Sequence, residues 1–449
     1  MRAAFDSFGR LDRRERQAVA ADEALRGLQR AAGALPSLLA YGSGRSYGDS
    51  CHNDAGALVE MRTKNAILHF DPASGILEAE AGASLHEILA HAAPFGYFLP
   101  VTPGTRFVTL GGAIANDVHG KNHHARGTFG CHVESFRLLR SDGVIHDCSA
   151  AENPDLFAAT IGGMGLTGLM LSARLRLMRV GSLDIDERIT AFSSLDAYFD
   201  LAEEADAQNE YAVAWVDQLA VANRGVLITG NHATNGNFRT DGRAARLGVP
   251  FDLPFSMLNR LSLKLFNNAY FHAKKRKDAP HRSGYGAFFY PLDGIGDWNR
   301  LYGPAGLHQH QSVIPFEAAR TTIPAMLDAS RKAGHASFLT VLKRFGTVRS
   351  PGLLSFPRPG YTLTMDFPNR GGATRALLET LDRMTVAAGG RVNPYKDGRM
   401  SASTFRAGFP DWHRLESIRD TAFCSDFWRR TALAGQAGDG VSKETMRTP

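Results

Sequence analysis

Four cysteines in 449 residues, Cys51, Cys131, Cys148 and Cys424, give neither C-x-x-C spacing nor the density of a disulfide framework, so they read as thiols in a reducing compartment. No run of about 18 apolar residues occurs, which excludes a membrane-spanning helix. The N-terminal MRAAFDSFGRLDRRERQ mixes charges of both signs where a signal peptide needs an apolar centre. A cytoplasmic location is therefore expected. Excess charge of one sign is also small: the formal net charge is only +6. Without a helix-turn-helix, zinc-finger or RNA-binding signature, that scattered excess excludes nucleic acid as the expected partner. An anionic substrate or an anionic membrane surface fits it better, and no metal site is expected.

Hydrophobic residues make up 44% of the chain and charged residues 21%, the balance of a folded protein. The length allows two or three domains. The most unusual stretch is PGTRFVTLGGAIANDVHGKNHHARGTFGCHV, residues 103 to 133. Its glycines and small residues let backbone approach a bulky planar ligand. Between them, Asn116, Asp117, His119, Lys121, Asn122, His123 and His124 concentrate amides, imidazoles and an ammonium. GGAIAN is too apolar for a solvated loop and HGKNHH too polar for a core element, so the stretch reads as a cofactor site.

Along the chain, a helix over 22 to 33 ends at a Gly33 cap. A buried strand over 37 to 41 then runs into GSGRSYGDS, whose glycines, hydroxyls and Arg45 offer N–H groups and a cation to a diphosphate. Gly42, Gly44 and Gly48 are spaced G-x-G-x-x-x-G and lead to a strand, not a helix, which argues against a Rossmann fingerprint. Strands follow at 57 to 61, 66 to 70 and 76 to 81, then a helix opened by a Ser84/Glu87 capping box. FRLLRSDGVIHDC reads as a hairpin turning at Asp142-Gly143. IGGMGLTG feeds a strand in which Leu169, Leu171, Ala173, Leu175 and Leu177 form the buried face. After about residue 180 strands and helices mix without βαβ alternation, which favours α+β. An irregular span from about 250 to 305 carries Phe251, Leu253, Phe255, Leu258, Leu261, Leu263, Leu265 and Phe266 and then KKRK at 274 to 277, a candidate lid facing lipid and anionic headgroups. The residues from about Gly435 are expected to be disordered.

GSGRSYGDS, PGTRFVTLGGAIANDVHGKNHH, GGMGLTG, FFYPLDGIGDWNRLYGPAG, SFLTVLKRFG and YKDGR occur in the order found in the decaprenylphosphoryl-β-D-ribose 2′-oxidases. The chain resembles that family, FAD flavoproteins of the vanillyl-alcohol oxidase type, over about residues 20 to 430. The resemblance implies an α+β protein. A PCMH-type FAD-binding domain would come from 1 to 180 and 391 to 449, and a substrate domain from 181 to 390 would hold an antiparallel sheet flanked by helices and the 250 to 305 lid. It also implies oxidation of the 2′-hydroxyl of a polyprenyl-phosphoryl ribose to the ketone, with a separate short-chain reductase completing epimerisation to the arabinose form.

The resemblance further implies that Gly44, Arg45, Ser46, Tyr47 and Gly48 face the FAD diphosphate, with Gly42 and Gly165 in the adjoining glycine loops. Thr105, Gly112, Ala113, Asn116 and His119 would lie along the flavin. Lys396 matches the active-site lysine, and Lys396 and His119 are the expected catalytic pair. Trp215, Gln309, Gln311, Lys343 and Phe345 match pocket positions. The chain departs from the family at Thr364, where a cysteine is frequent, at Thr362 for asparagine, and at Phe289 and His310 for tyrosines. Arg45 stands where some relatives on this fold link FAD to histidine, so FAD is expected to be held without a covalent bond. An aldonolactone or sugar-alcohol oxidase on the same fold is the alternative.

Overall fold

The computed structural model describes residues 2–30, 37–240, 247–249 and 254–435. Gly33, Phe251, Leu253 and the tail beyond Gly435 lie outside these. The fold is α+β, as expected, and is organised by three main sheets. In the first, Leu38–Tyr41 and Glu15–Ala20 run parallel to Ala57–Glu60, and Arg2–Ala4 adds antiparallel at the edge. The second is antiparallel in the order Ile67–Asp71, Ile76–Glu80, Leu169–Arg176, Val133–Leu139, Ile145–Ser149. The Asp142-Gly143 hairpin is present, with Gly143 at φ +81°, a backbone that glycine adopts without strain.

The strand Leu169–Arg176 does not keep the simple alternation expected of it. Its register shifts between Met170 and Ser172, and both residues are buried while Leu171 is only partly so. A bulge of this kind re-aims side chains, and here it turns Met170 toward the central cavity. The capping box is formed: Glu87 N–H donates to Ser84 Oγ at 3.2 Å, and Ser84 N–H donates back to the Glu87 carboxylate at 2.7 Å.

The third sheet has eight antiparallel strands in the order His281–Ser283, Ile185–Phe192, Gly225–His232, Tyr211–Val216, Val341–Phe345, Gly360–Pro368, Leu307–Ile314, Arg391–Val392. Alternation decides its chemistry. Ala214, Leu342, Leu363, Met365 and Phe367 pack under the helices Leu195–Gln208, Phe316–Lys332 and Gly372–Ala387 with Tyr198, Phe199, Ile323, Met326 and Leu381. Their neighbours on the same strands therefore face the other way: Trp215, Lys343, Thr364, Gln309 and Gln311 line the cavity.

The strand that carries Lys343 spans Val341–Phe345 and does not reach back to Ser337. Ser337 is occupied by its surroundings instead, its N–H bonded to Gln218 Oε1 and its hydroxyl to Asp366 N–H. Arg391–Val392 is still an edge strand of the large sheet, and only after it does the chain return to the N-terminal sheets. There Phe423 bridges to Leu38, and Arg430 pairs with Asp49 at 2.8 Å.

Candidate active site

A cavity of about 690 Å³ lies between the glycine-rich loops and the face of the large sheet turned away from its helices. That volume is in the range of cofactor and ligand sites. One half is backbone: Gly42 to Ser46, Gly104, Gly111, Gly112, Gly165 and Gly168, with Ala81 and Ala115. Gly104 meets nothing within 4 Å where a side chain would point, so this wall stays open for a planar ligand. Thr109 Oγ1 accepts from Gly112 N–H at 3.1 Å and caps the short helix Leu110–Ala115 that carries the stretch. Asp117 pins the next turn. Its buried carboxylate accepts from Gly130 N–H at 2.8 Å and from the Ser350 and Ser355 hydroxyls, which ties the loop of His119 to the segment around 350 to 356. Burial raises the Asp117 pKa, and these donors oppose the rise.

The other half is side chains. Lys396 Nζ sits 4.2 Å from the centroid of the Tyr47 ring, a cation–π contact. Burial lowers its pKa to about 8, and Asp366 opposes that shift. Asp366 is itself raised to about 7 by burial, against a hydrogen bond from the Gln309 amide. Lys343 has no such carboxylate. Burial, then Lys121 and Lys396, lower it to about 7. His119 lies between Gln311, whose Nε2 is 3.0 Å from its Nε2, and Lys343, whose Nζ is 3.3 Å from its Nδ1. Burial and the neighbouring Lys343, His123 and Lys396 hold its pKa well below the usual value. An aromatic wall closes the cavity: Tyr270 stacks on Phe266 at 5.8 Å and packs against Trp215 at 4.8 Å.

Most residues expected at a site meet here: Gly42, Gly44, Arg45, Ser46, Tyr47, Thr105, Gly112, Asn116, His119, Gly165, Trp215, Phe289, Gln309, Gln311, Lys343, Thr364 and Lys396 all line the cavity. Gly48, Ala113, Phe345 and Thr362 do not. A methyl on Gly48 would lie 1.8 Å from the Asp397 carbonyl oxygen, so Gly48 serves the close packing of its loop on the Asp397 turn. Ala113 is buried in the core beneath the helix. Phe345 supports His119 from behind, edge to face at 4.8 Å, and Thr362 accepts from Gln311 Nε2 at 3.1 Å. His310, on the opposite strand face, points away from the cavity toward Asp382.

Beyond the expected residues, Asn393, Met170 and Tyr270 also line the cavity, and Asp366 accepts from Gln309 beside it. Asn393 lies two residues before the YKDGR motif and Asp366 two residues after Thr364, so the signal existed for both. Met170 was hidden by the bulge.

The expected basic face is also altered. Lys274 is partly buried over the Tyr270 ring at 5.7 Å, and Arg282 pairs with Asp186 at 2.8 Å. Lys275, Arg276 and Lys277 remain exposed. On the helix Arg260–Lys275, Leu263 is buried while Leu261 and Leu265 are 68% and 66% exposed. Phe255 and Met257 beside them are exposed as well. Among the described residues no helix is long and apolar enough to cross a membrane, and no group of His, Cys, Asp and Glu is arranged to hold a metal ion.

Residues 21–149 match the model of an FAD binding domain. Decaprenylphosphoryl-beta-D-ribose oxidase of Mycolicibacterium smegmatis is 35% identical over 418 residues, 88% of this chain and 89% of its own. Shorter matches extend to the L-gulonolactone oxidase of Mus musculus, 28% identical over 30% of each chain, and the Delta(24)-sterol reductase of Rattus norvegicus, 30% identical over 25% of this chain and 22% of its own. The glycine-walled cavity fits FAD, whose ring system needs a flat, side-chain-free wall. The chain is an FAD-dependent oxidoreductase and belongs to the decaprenylphosphoryl-β-D-ribose oxidase family.

Proposed function

We propose that the protein oxidises the 2′-hydroxyl of a polyprenyl-phosphoryl-β-D-ribose to the 2′-keto sugar, the first half of epimerisation to the arabinose form, and hands the product to a separate short-chain reductase. The observation that carries this reading is the cavity itself, in which a glycine-rich wall meets Lys343, Gln309 and Gln311 on one sheet face, with His119 and Lys396 brought beside them by neighbouring loops. A polar, hydrogen-bonding face suits a sugar. The aromatic rim of Trp215, Phe266 and Tyr270 suits the start of an isoprenoid chain.

When bound, FAD supplies the two-electron acceptor that takes the hydride from carbon. The Gly42 to Ser46 loop and Arg45 would hold its diphosphate, and Gly112, Asn116 and Gly165 would line its ring system without a covalent link. Lys396 places a cation where negative charge develops and grips the substrate oxygens. Gln309 and Gln311 orient the sugar through hydrogen bonds. We assign residues up to about 180 and those after about 391 to the FAD-binding domain and the intervening residues to the substrate domain.

The exposed Phe255, Met257, Leu261 and Leu265 near the start of the helix Arg260–Lys275, and the exposed Lys275, Arg276 and Lys277 at its far end, are the residues that would meet a cytoplasmic membrane surface from which a polyprenyl phosphate is drawn. A soluble aldonolactone is the second reading, favoured by the partial match to L-gulonolactone oxidase. The test is anaerobic bleaching of the flavin by each substrate. Bleaching by a polyprenyl-phosphoryl ribose and not by aldonolactones is expected. The reverse would replace this reading with the second.

A further inference from the structure

The hydrogen-bond directions around His119 can be followed from a fixed starting point. Tyr395 N–H donates to Asn393 Oδ1 at 3.0 Å. A backbone amide only donates, so it settles which end of the Asn393 amide is oxygen. Asn393 Nδ2 then donates to Gln311 Oε1 at 2.9 Å. That leaves the Gln311 NH₂ group directed at Thr362 Oγ1 and at His119 Nε2, 3.0 Å away. An NH₂ group cannot accept, so His119 Nε2 is the acceptor and the single proton of the neutral imidazole sits on Nδ1. His119 Nδ1 faces Lys343 Nζ at 3.3 Å. Ammonium has no lone pair. Of the two forms of Lys343, only the free amine can receive this N–H, alongside the Gly120 backbone, which also bonds the ring.

The ionisable groups facing Lys343 are His119, Lys121 and His123, from one stretch, and Lys396, from a second. None is a carboxylate. Protonating Lys343 would bury a charge, set it against two other lysines, and turn a donor–acceptor contact with His119 into two opposed donors. Its environment lowers it to about 7. Lys396, by contrast, has Asp366 and the Tyr47 ring to keep its charge. Two lysines in one cavity are thus pushed toward different protonation states, the pattern that separates base from cation.

The geometry points to Lys343 as the general base of the oxidation, held as a free amine by the Asn393–Gln311–His119 relay. This rests on the alcohol oxidation proposed above and adds the proton acceptor to it. The 3.3 Å contact is long for a hydrogen bond, so a substrate hydroxyl displaces it by rotation of the lysine end. The O–H bond breaks and its proton joins Nζ, converting amine to ammonium. The C–H bond breaks and its hydride, with both electrons, goes to FAD. The carbinol C–O bond becomes C=O, and the ammonium returns its proton to solvent before the next turnover. His119, Gln311 and Asn393 are positioning residues.

The test uses holoenzyme and anaerobic stopped-flow bleaching with a short polyprenyl-phosphoryl ribose. In the wild type the rate should rise with pH along a limb near 7. Lys343→Met and Lys343→Arg should each lose at least about 100-fold and lose the limb, and added methylamine should partly restore Lys343→Ala. Independently, ¹⁵N-histidine NMR of the wild type should show His119 protonated on Nδ1 and not on Nε2, with that preference lost in Gln311→Leu. A His119 proton on Nε2, or a Lys343→Met enzyme that keeps both the limb and its rate within about fivefold of wild type (about 1 kcal/mol), would overturn the assignment. Failure of the substrate reading looks different: wild type would not bleach with the ribose compound. The same variants are then run with whichever alcohol does bleach it.

Discussion

The two halves of the cavity are built on opposite rules. The loop half is defined by side chains it does not have: at Gly42, Gly111 and Gly112 an added methyl would fall within about 3 Å of a neighbouring atom, and Gly104 opens directly on the cavity. The sheet half is defined by side chains it does have, and each hydrogen-bonds or stacks on another: Lys396 on Tyr47, Gln309 on Asp366, Gln311 on His119 and Thr362. Additions should therefore damage the first half and truncations the second. The first kind of damage should appear as lost FAD and lost stability, the second as lost rate with FAD retained.

Truncation of Lys396 sharpens that contrast most. Lys396→Met should keep the flavin absorbance and lose roughly 10² to 10³ in the rate of bleaching, the size expected for removing a charge-stabilising group. An apoprotein, or an unchanged rate, would break the comparison. The pH profile follows from the same residue. Lys396 acts as a cation with its pKa lowered to about 8, so the rate falls as pH rises past that value. Because the two lysines interact, the limbs near 7 and 8 belong to the pair and give a narrow bell.

Behind the loop half, Gly48→Ala should displace the Asp397–Gly398 turn and destabilise the protein by about 1 to 3 kcal/mol, read as a lower melting temperature with weakened FAD binding. Thr364→Cys should cost little in rate yet create inactivation by electrophiles that bond a thiolate. The parent, with a threonine lining the cavity, should form no adduct there by intact mass. The smallest effect is outside both halves. Replacing Lys275, Arg276 and Lys277 by Gln should weaken binding to anionic vesicles by roughly 1 kcal/mol per residue at low salt and leave FAD in place.

The difference between the halves also explains what the sequence made legible. Absent side chains are visible as glycine spacing, so the 42 to 48 and 103 to 124 stretches could be read as a cofactor wall from residue types alone. The sheet half depends on which face each residue takes, and strand alternation gives that only when the register is known. Thr362 and Thr364 are two apart on one strand, yet Thr364 meets the cavity and Thr362 is covered by Gln311. Met170 reached the cavity through a bulge that no local pattern announces. Gly48 and Phe345 matched family positions but act one layer behind the cavity, because what a residue touches is decided by the segment packed against it: Asp397 for the first, His119 for the second.

The central claim, that the sheet half directs oxidation at one particular hydroxyl, is tested most directly by isotopic substitution in anaerobic bleaching of the holoenzyme. Polyprenyl-phosphoryl ribose carrying deuterium at C2′ should bleach the flavin more slowly than the unlabelled compound, and deuterium at C3′ should leave the rate unchanged. Slowing by the C3′ label alone, or bleaching by neither compound under conditions where an aldonolactone reduces the flavin, would contradict the account.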